Sequence, residues 1–89
     1  METKGINTIE KALQEHKWEN AMVSISHKLY GAQKIRCKLD YIIDEERVGV
    51  RVKNGQEIFV YKNEVIDYGT KDGIYFADDL MEINIKLNK

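Results

Sequence analysis

The chain has 89 residues, 43% of them hydrophobic and 33% charged, which is typical of one small globular domain covering residues 1–89. The net charge of −1 at pH 7 excludes a bulk attraction to nucleic acid or anionic lipid, so such binding would need a local patch. The single cysteine, Cys37, excludes an intrachain disulfide and a cysteine-rich zinc site, and it suits a reducing, cytoplasmic compartment. No apolar run approaches the roughly 18 residues of a membrane span, so no membrane partner is expected.

The first predicted element is a helix over residues 7–18. Asn7 precedes Glu10 by three residues, a spacing that resembles the capping pair found at helix starts. The apolar residues of this region recur on one narrow stripe, which comprises Ile6, Ile9 and Leu13 with Ala12 and His16 beside them. A helix this short is marginal in water on its own, so we expect it to lie on a sheet.

Two alternating runs follow, over residues 20–29 and 34–43, and each predicts a strand with one apolar face. The inward residues of the first run are Ala21, Val23, Ile25 and Leu29. Those of the second run are Ile35, Cys37, Leu39, Tyr41 and Ile43. Turns are expected at 30–33 and 44–46, and a third run over 47–53 then returns with Val48, Val50 and Val52 inward.

An Asn54-Gly55 pair separates the run over 47–53 from the next one, over 56–61. The pair predicts a two-residue type I′ turn, because both central residues of that turn need φ > 0. A turn of this length sets Val50 opposite Phe59 on the core side, and it thereby fixes the register of the whole hairpin.

This register leaves apolar side chains on the other face of the hairpin. Ile58 and Val60 stand on that face, and Ile42 of the preceding strand is expected to join them. Such a patch needs a cover, which the helix, the curvature of a barrel or a second subunit would provide. Gly49 favours curvature, since glycine inside a strand marks bulges and bends. If a second subunit is the cover, Ile42, Ile58 and Val60 are interface residues.

The last third of the chain predicts further short strands. Residues 62–73 leave two alternatives open, a continuation of the strand over 56–61 or another short strand. Residues 74–76 and 80–87 are predicted strands on either side of a tight turn. The predicted fold class is mainly β, an N-terminal α-helix followed by a strongly bent five-stranded antiparallel sheet or small open barrel.

Two turns carry a resemblance to a known family, the Sm-like small β-barrels, which include the Sm and Lsm proteins and the bacterial RNA chaperone. Ile43-Asp44 resembles the hydrophobic–aspartate pair that opens the turn before their third strand. Tyr75–Ile83 resembles their second motif in length and in the place of Asp78. The resemblance extends over residues 7–87 and implies an Sm-like or SH3-like barrel that assembles into rings.

The chain departs from the family pattern at the two turns that hold a bound base. The family's Asn in the first turn is absent, since Glu45, Glu46 and Arg47 fill that region. Phe76 and Ala77 stand in place of the Arg and Gly of the second motif. Acidic side chains at both turns would also repel phosphate. The resemblance therefore implies fold and ring-like oligomerisation, and it does not imply the family's nucleotide pocket.

Basic residues are predicted to share the non-core face of two paired strands: Lys34, Arg36, Lys38, Arg47, Arg51 and Lys53. Such a face would bind nucleic-acid phosphates with salt-dependent affinity. The alternative is a solvated face whose charges oppose edge aggregation, with Asp40 opposite Arg51 and neutralising it. No aromatic residues interleave with the basic ones for base stacking, which favours the alternative.

The other chemistry-bearing residues have structural explanations. The acidic segments 44–46 and 78–79 would suit Mg²⁺ or Ca²⁺ if they met, but acidic residues are ordinary turn formers. His16 and His27 lack a Ser, Cys or Asp partner in the sequence pattern, so they are not a catalytic signal. Trp18, at the helix–strand junction, is predicted to anchor the helix in the core or, alternatively, to lie at an interface.

We therefore expect a non-enzymatic, cytoplasmic, self-associating domain with no cofactor, metal or small-molecule substrate. Under one hypothesis it is a homo-oligomeric, Sm-like scaffold whose basic strands contact RNA or other nucleic acid. Under the other it is a protein-interaction or structural module, joined through the apolar hairpin patch or through an open strand edge.

Overall fold

The computed structural model describes residues 3–87, which form one helix and eight strands. The helix α1 covers Thr3–Glu15, and within residues 3–87 no helix has the length and apolar character needed to cross a bilayer. The strands are β1 Asn20–His27, β2 Gly31–Lys38, β3 Asp40–Ile43, β4 Arg47–Arg51, β5 Glu57–Tyr61, β6 Asp67–Gly69, β7 Ile74–Ala77 and β8 Met81–Leu87. Short 3₁₀ turns at Lys53–Gly55 and Lys62–Glu64 flank β5.

The strands form two antiparallel sheets. The larger sheet has the order β2-β1-β8-β7-β6, and the smaller has the order β3-β4-β5. The chain crosses from one sheet to the other at Leu39, which is fully buried. Within residues 3–87 each sheet keeps two open edges, so neither closes into a barrel. The mainly β class with an N-terminal helix is confirmed, whereas the expected five strands are eight and lie in two sheets.

The core lies between the two sheets and under α1. The helix buries Ile6, Ile9 and Leu13, which stand three and four residues apart on one face. They pack in one cluster with apolar residues of both sheets, among them Val23, Val48, Val50, Phe76, Ile83 and Ile85. Burial of this stripe confirms the predicted packing of the helix on the sheets.

The helix occupies Thr3–Glu15 rather than the predicted 7–18, so both of its ends were misplaced. Asn7 is not a cap, because it lies inside the helix with an exposed side chain. Ile6 belongs to the buried stripe, which is why the helix begins before it. Beyond the other end, Trp18 adopts φ 70°, a left-handed conformation that bulky residues rarely take, and this turns the chain towards β1.

Two backbone hydrogen bonds join the end of the helix to the crossing between the sheets. The Trp18 N–H donates to the Leu39 carbonyl oxygen at 2.7 Å, and the Leu39 N–H donates to the Glu19 carbonyl oxygen at 2.8 Å. The Trp18 side chain is 58% exposed, so the predicted core anchor is wrong. Its ring lies 5.1 Å from the Lys17 ammonium, outside the core. Trp18 therefore ties the helix to the sheets through its backbone.

Replacing Trp18 with glycine should give a more stable protein than replacing it with alanine. Both variants lose the indole ring, but only glycine accepts φ 70° without the Cβ clash of an L-residue. Because that clash costs roughly 1–2 kcal/mol, urea unfolding should give Trp18→Gly a free energy of unfolding about 1 kcal/mol above that of Trp18→Ala. Equal stability of the two variants would show that this backbone conformation carries no strain.

The β4–β5 hairpin has a three-residue loop, so the predicted two-residue turn is wrong. The Gly55 N–H donates to the Val52 carbonyl oxygen at 3.1 Å, and the Val52 N–H donates to the Gln56 carbonyl oxygen at 2.9 Å. Gly55 has φ 75°, which matches a type I turn followed by a left-handed residue. The additional loop residue moves every pair of the hairpin by one position.

The shifted register places the β5 aliphatics in the core. Val48 pairs with Val60 and Val50 with Ile58, so all four face inward. The predicted apolar second face built on Ile58 and Val60 is therefore wrong. Ile42 does lie on the outer face, opposite Gly49, but it is only 7% exposed.

Gly49 allows β5 to approach β4 closely. It pairs with Ile42 on one side and with Phe59 on the other, and both ladders run through it without interruption. A Cβ at Gly49 would overlap the Ile58 carbonyl oxygen and the Cα and Cβ of Phe59. The glycine thus serves a close approach of two backbones, and the continuous pairing shows that it does not form a bulge.

Gly49→Ala should lower the free energy of unfolding by roughly 1–3 kcal/mol, because the atoms it meets belong largely to backbone that cannot move aside. Gly69→Ala is the matched control, since Gly69 also lies in a strand and a Cβ added there would meet no atom within 4 Å. Urea unfolding of both variants measures the difference. A loss of the same size at Gly69 would contradict the close-approach explanation.

Candidate interaction edge and basic corner

β2 is the long open edge of the larger sheet. Its eight residues pair with β1 on one side, from Lys38 opposite Asn20 to Gly31 opposite His27. On its other side, residues 3–87 offer it no backbone partner. Such an edge presents a row of N–H and C=O groups that another strand can pair with. The other open edges, β3, β5 and β6, are shorter, with 4, 5 and 3 residues.

The turn before β2 is held by His27. Its Nδ1 accepts a hydrogen bond from the Leu29 N–H at 3.0 Å, and its ring lies 4.5 Å from that of Tyr30. Gly31 then adopts φ 85° and begins the strand. Leu29 and Tyr30 are 71% and 85% exposed, so the inward position predicted for Leu29 is wrong. His27 thus stabilises the turn of the β1–β2 hairpin.

Four exposed basic side chains form the basic corner on the outer face of the larger sheet: Lys34, Arg36 and Lys38 of β2 and Lys86 of β8. Met22 of β1 pairs with Arg36 on one side and with Lys86 on the other, which brings the two strands' charges together. The ion pairs found among residues 3–87 include none of these four. Lys86 was missed by the sequence analysis, because no local pattern shows that β8 pairs with β1.

The opposite end of the same face is acidic. Tyr75 of β7 lies there, between strands that carry Glu82 and Asp67. Burial, followed by the charges of Glu82 and Asp67, raises the pKa of the Tyr75 hydroxyl above its usual value. The outer face is therefore positive at the β2 edge and negative towards β6.

Of the remaining basic residues of the sequence prediction, Arg47 and Arg51 lie on the smaller sheet, whereas Lys53 of its hairpin loop lines a cleft with Arg36 and Lys38. Arg47 pairs with Asp44 at 2.7 Å. Arg51 pairs with Asp40 at 3.1 Å and with Glu57 at 2.9 Å, which confirms the predicted Asp40–Arg51 pair. Since β2 and β4 belong to different sheets, the six residues do not share one face.

The acidic segments form turns. The Asp44 carboxylate accepts the backbone N–H groups of Glu46 and Arg47 at 2.9 and 2.7 Å. The Asp78 carboxylate accepts those of Leu80 and Met81 in the same way, at 2.9 and 2.8 Å. Across residues 3–87, no three His, Cys, Asp or Glu side chains are arranged to hold a metal ion.

Arg47 should control the titration of Asp44. Its side-chain hydrogen bond is the largest cause that holds the pKa of Asp44 below its usual range, ahead of the backbone hydrogen bonds. Arg47→Gln should raise this pKa in a carboxyl NMR titration, whereas Arg51→Gln should leave it unchanged. Because the pKa is depressed in the folded state, the pair stabilises the fold at neutral pH, and this contribution is lost as pH falls through the folded pKa. An unchanged Asp44 pKa in Arg47→Gln would contradict the assignment.

Two clefts lie between β2 and the β4–β5 hairpin. One, of about 440 Å³, is lined by Asn20, Ala21, Arg36, Cys37, Lys38 and Lys53. The other, of about 380 Å³, is lined by residues of β2 and β5 and reaches the apolar side chains of Ile25, Ile58 and Met81. Burial raises the pKa of the Cys37 thiol, and the Lys53 ammonium opposes this shift. The inner side of the β2 edge therefore borders partly apolar space.

Three of the four interface candidates are buried within the chain itself. Ile42, Ile58 and Val60 are 7%, 8% and 1% exposed, which removes the basis on which an interface was predicted there. Trp18 is exposed, and its place in an interface stays a prediction.

The exposed large apolar side chains at one end of the larger sheet form a group that we call the rim: Leu29, Tyr30, Ile66 and Leu80. The Lys28 N–H donates to the Leu80 carbonyl oxygen at 2.9 Å, which holds two of the rim's turns together. No local sequence pattern marks the rim, because its members come from three separate turns.

Comparison with known proteins gives no family: no family model, curated protein or solved structure matches the chain. The resemblance to the Sm-like barrels therefore stays a prediction.

Proposed function

We propose that the protein is a non-enzymatic, cytoplasmic interaction module that binds an extended segment of a partner protein by adding it as a strand to β2. The observation that carries this proposal is the eight-residue edge whose backbone bonds, within residues 3–87, go to β1 alone. Main-chain hydrogen bonds supply the affinity of strand addition, and pockets for alternate side chains supply its selectivity. The lone, half-buried Cys37 suits a reducing cytoplasm.

The exposure of β2 supports the proposal. Six of its eight residues are exposed, and the other two, Ile35 and Cys37, are half-buried. An added strand therefore has no covering element of residues 3–87 to displace. The chain contains no proline, so every residue of β2 keeps its N–H for pairing.

A second candidate function is contact with RNA or other nucleic acid. The four side chains of the basic corner favour it, because they have no ion-pair partner among residues 3–87. If all four neutralise phosphates of a single strand, the logarithm of the binding constant should fall with the logarithm of salt concentration with a slope of about 3. The net charge of −1 and the acidic end of the same face oppose this function.

Self-association into a homo-oligomer stays a prediction. Because Ile42, Ile58 and Val60 are buried in the single chain, a contact between copies would have to use other apolar surface. The exposed large side chains suited to it are those of the rim together with Trp18, Tyr61 and Tyr68.

Proline substitutions test strand addition directly. In an edge strand, the N–H groups of alternate residues point to the open edge, and the others point to the neighbouring strand. Of Gln33→Pro and Lys34→Pro, one therefore removes an N–H from the open edge and the other removes an N–H from the ladder with β1. Both side chains are exposed. The variant that loses an outward N–H should keep the circular dichroism and melting temperature of the parent, and it should lose affinity for peptides selected from a displayed random library.

Gln33→Ala and Lys34→Ala are the matched controls, because they remove the same side chains and keep the N–H groups. Gln33→Ala should bind the selected peptides as the parent does, and the affinity of each proline variant is compared with that of the alanine variant at the same position. A folded proline variant with unchanged peptide affinity would contradict strand addition, and so would a library that yields no peptide for the parent chain.

A further inference from the structure

We infer that the segment that adds to β2 alternates acidic and apolar residues, and that it comes from a different protein rather than from a second copy of this chain. This inference rests on the proposed strand addition. It follows from the charges on one side of β2, from the clefts on the other side and from the consequences of pairing β2 with itself.

On the outer face of the sheet, the side chains of β2 favour a partner strand with acidic residues. Lys34, Arg36 and Lys38 stand on alternate residues of β2, so they all point to the outer face of the sheet. A strand added beside β2 would place its own alternate residues directly opposite these three. Opposite charges at such cross-strand positions are favourable, and like charges are unfavourable. The partner's outward residues should therefore be Asp or Glu.

The inner side of β2 selects for apolar residues. Ile35 and Cys37 point to that side and are only half-buried. An added strand would extend the inner face over the two clefts. Ile25, Ile58 and Met81 border one of them, and Ala21, Cys37 and Lys53 border the other. Apolar side chains of the partner would fill space that is already partly apolar. The period of two in a strand then makes the partner's sequence alternate between acidic and apolar residues.

A second copy of the chain does not meet these requirements. Two β2 edges that pair antiparallel with their outer faces on the same side set even-numbered residues opposite even-numbered residues. In three such registers near the centre of the strand, Lys34 faces Lys34, Lys34 faces Arg36, or Arg36 faces Arg36 with Lys34 facing Lys38, so each register opposes like charges. The repulsion opposes self-pairing at β2 and leaves the edge open for an acidic strand.

Labelled synthetic peptides of eight residues, the length of β2, test the inference by fluorescence anisotropy. The first alternates Glu and Val, the second replaces every Glu with Gln, and a single-stranded RNA oligonucleotide serves as the rival polyanion. The Glu–Val peptide should bind most tightly, and its affinity should fall as salt rises. The Lys34→Glu, Arg36→Glu and Lys38→Glu triple variant should bind it at least about tenfold more weakly, because three attractive cross-strand pairs become repulsive.

The control variant carries Lys11→Glu, Lys28→Glu and Lys71→Glu. All three lysines are exposed, and none lies in β2 or in β1, the strand that pairs with it. It has the same net charge as the triple β2 variant, and it should bind the Glu–Val peptide as the parent does. Equal losses in the two variants would assign the effect to overall charge and overturn the inference.

Two N-methylated versions of the Glu–Val peptide separate the inference from the proposed function. Methyl groups on all Glu amides block one edge of the peptide, and those on all Val amides block the other. Loss of binding in one version alone supports strand addition. Binding that survives both modifications overturns strand addition itself. Equal binding of the Gln and Glu peptides, or tighter binding of RNA, overturns only the acidic partner.

Discussion

The composition of the core depends on the loop that joins β4 to β5. Two hydrogen bonds, from Gly55 N–H to Val52 O and from Val52 N–H to Gln56 O, close a three-residue loop. With that loop, Ile58 and Val60 face the helix and the larger sheet, together with Val48 and Val50. A loop one residue shorter would turn every side chain of β5 to the opposite face. The burial of Ile58 and Val60 therefore rests on the left-handed conformation of Gly55.

The helix and most strands could be predicted because their periodicity is local. Ile6, Ile9 and Leu13 mark a helix stripe, and Val48, Val50 and Val52 mark a strand. The loop length could not be predicted, because an Asn-Gly pair is compatible with more than one hairpin type. The division of residues 34–43 between two sheets was also hidden, since apolar residues continue to alternate through Leu39 while the chain changes its partners.

Charge is distributed differently on the two sheets, and the sequence does not show which basic residues are neutralised by carboxylates. On the smaller sheet, Arg47 and Arg51 are neutralised by nearby carboxylates. On the larger sheet, the basic corner keeps its charges unpaired among residues 3–87. The sequence pattern places the basic residues in strands but does not separate the two groups. Only the pairing of β1 with β2 and with β8 distinguishes them, and that pairing brings distant parts of the chain together.

The hydrogen bonds of Trp18 and Glu19 with Leu39 link the helix end to the crossing between the sheets. Neither the helix nor the smaller sheet can separate from the larger sheet without disturbing this point. Local opening is therefore expected to involve both elements together, as one cooperative unit whose amide protons share a common free energy of opening. The β2 edge lies outside this unit, because its backbone bonds lead only to β1. The fold thus combines a helix and a smaller sheet, which open together, with one strand, β2, whose unpaired edge is accessible while both of them stay closed.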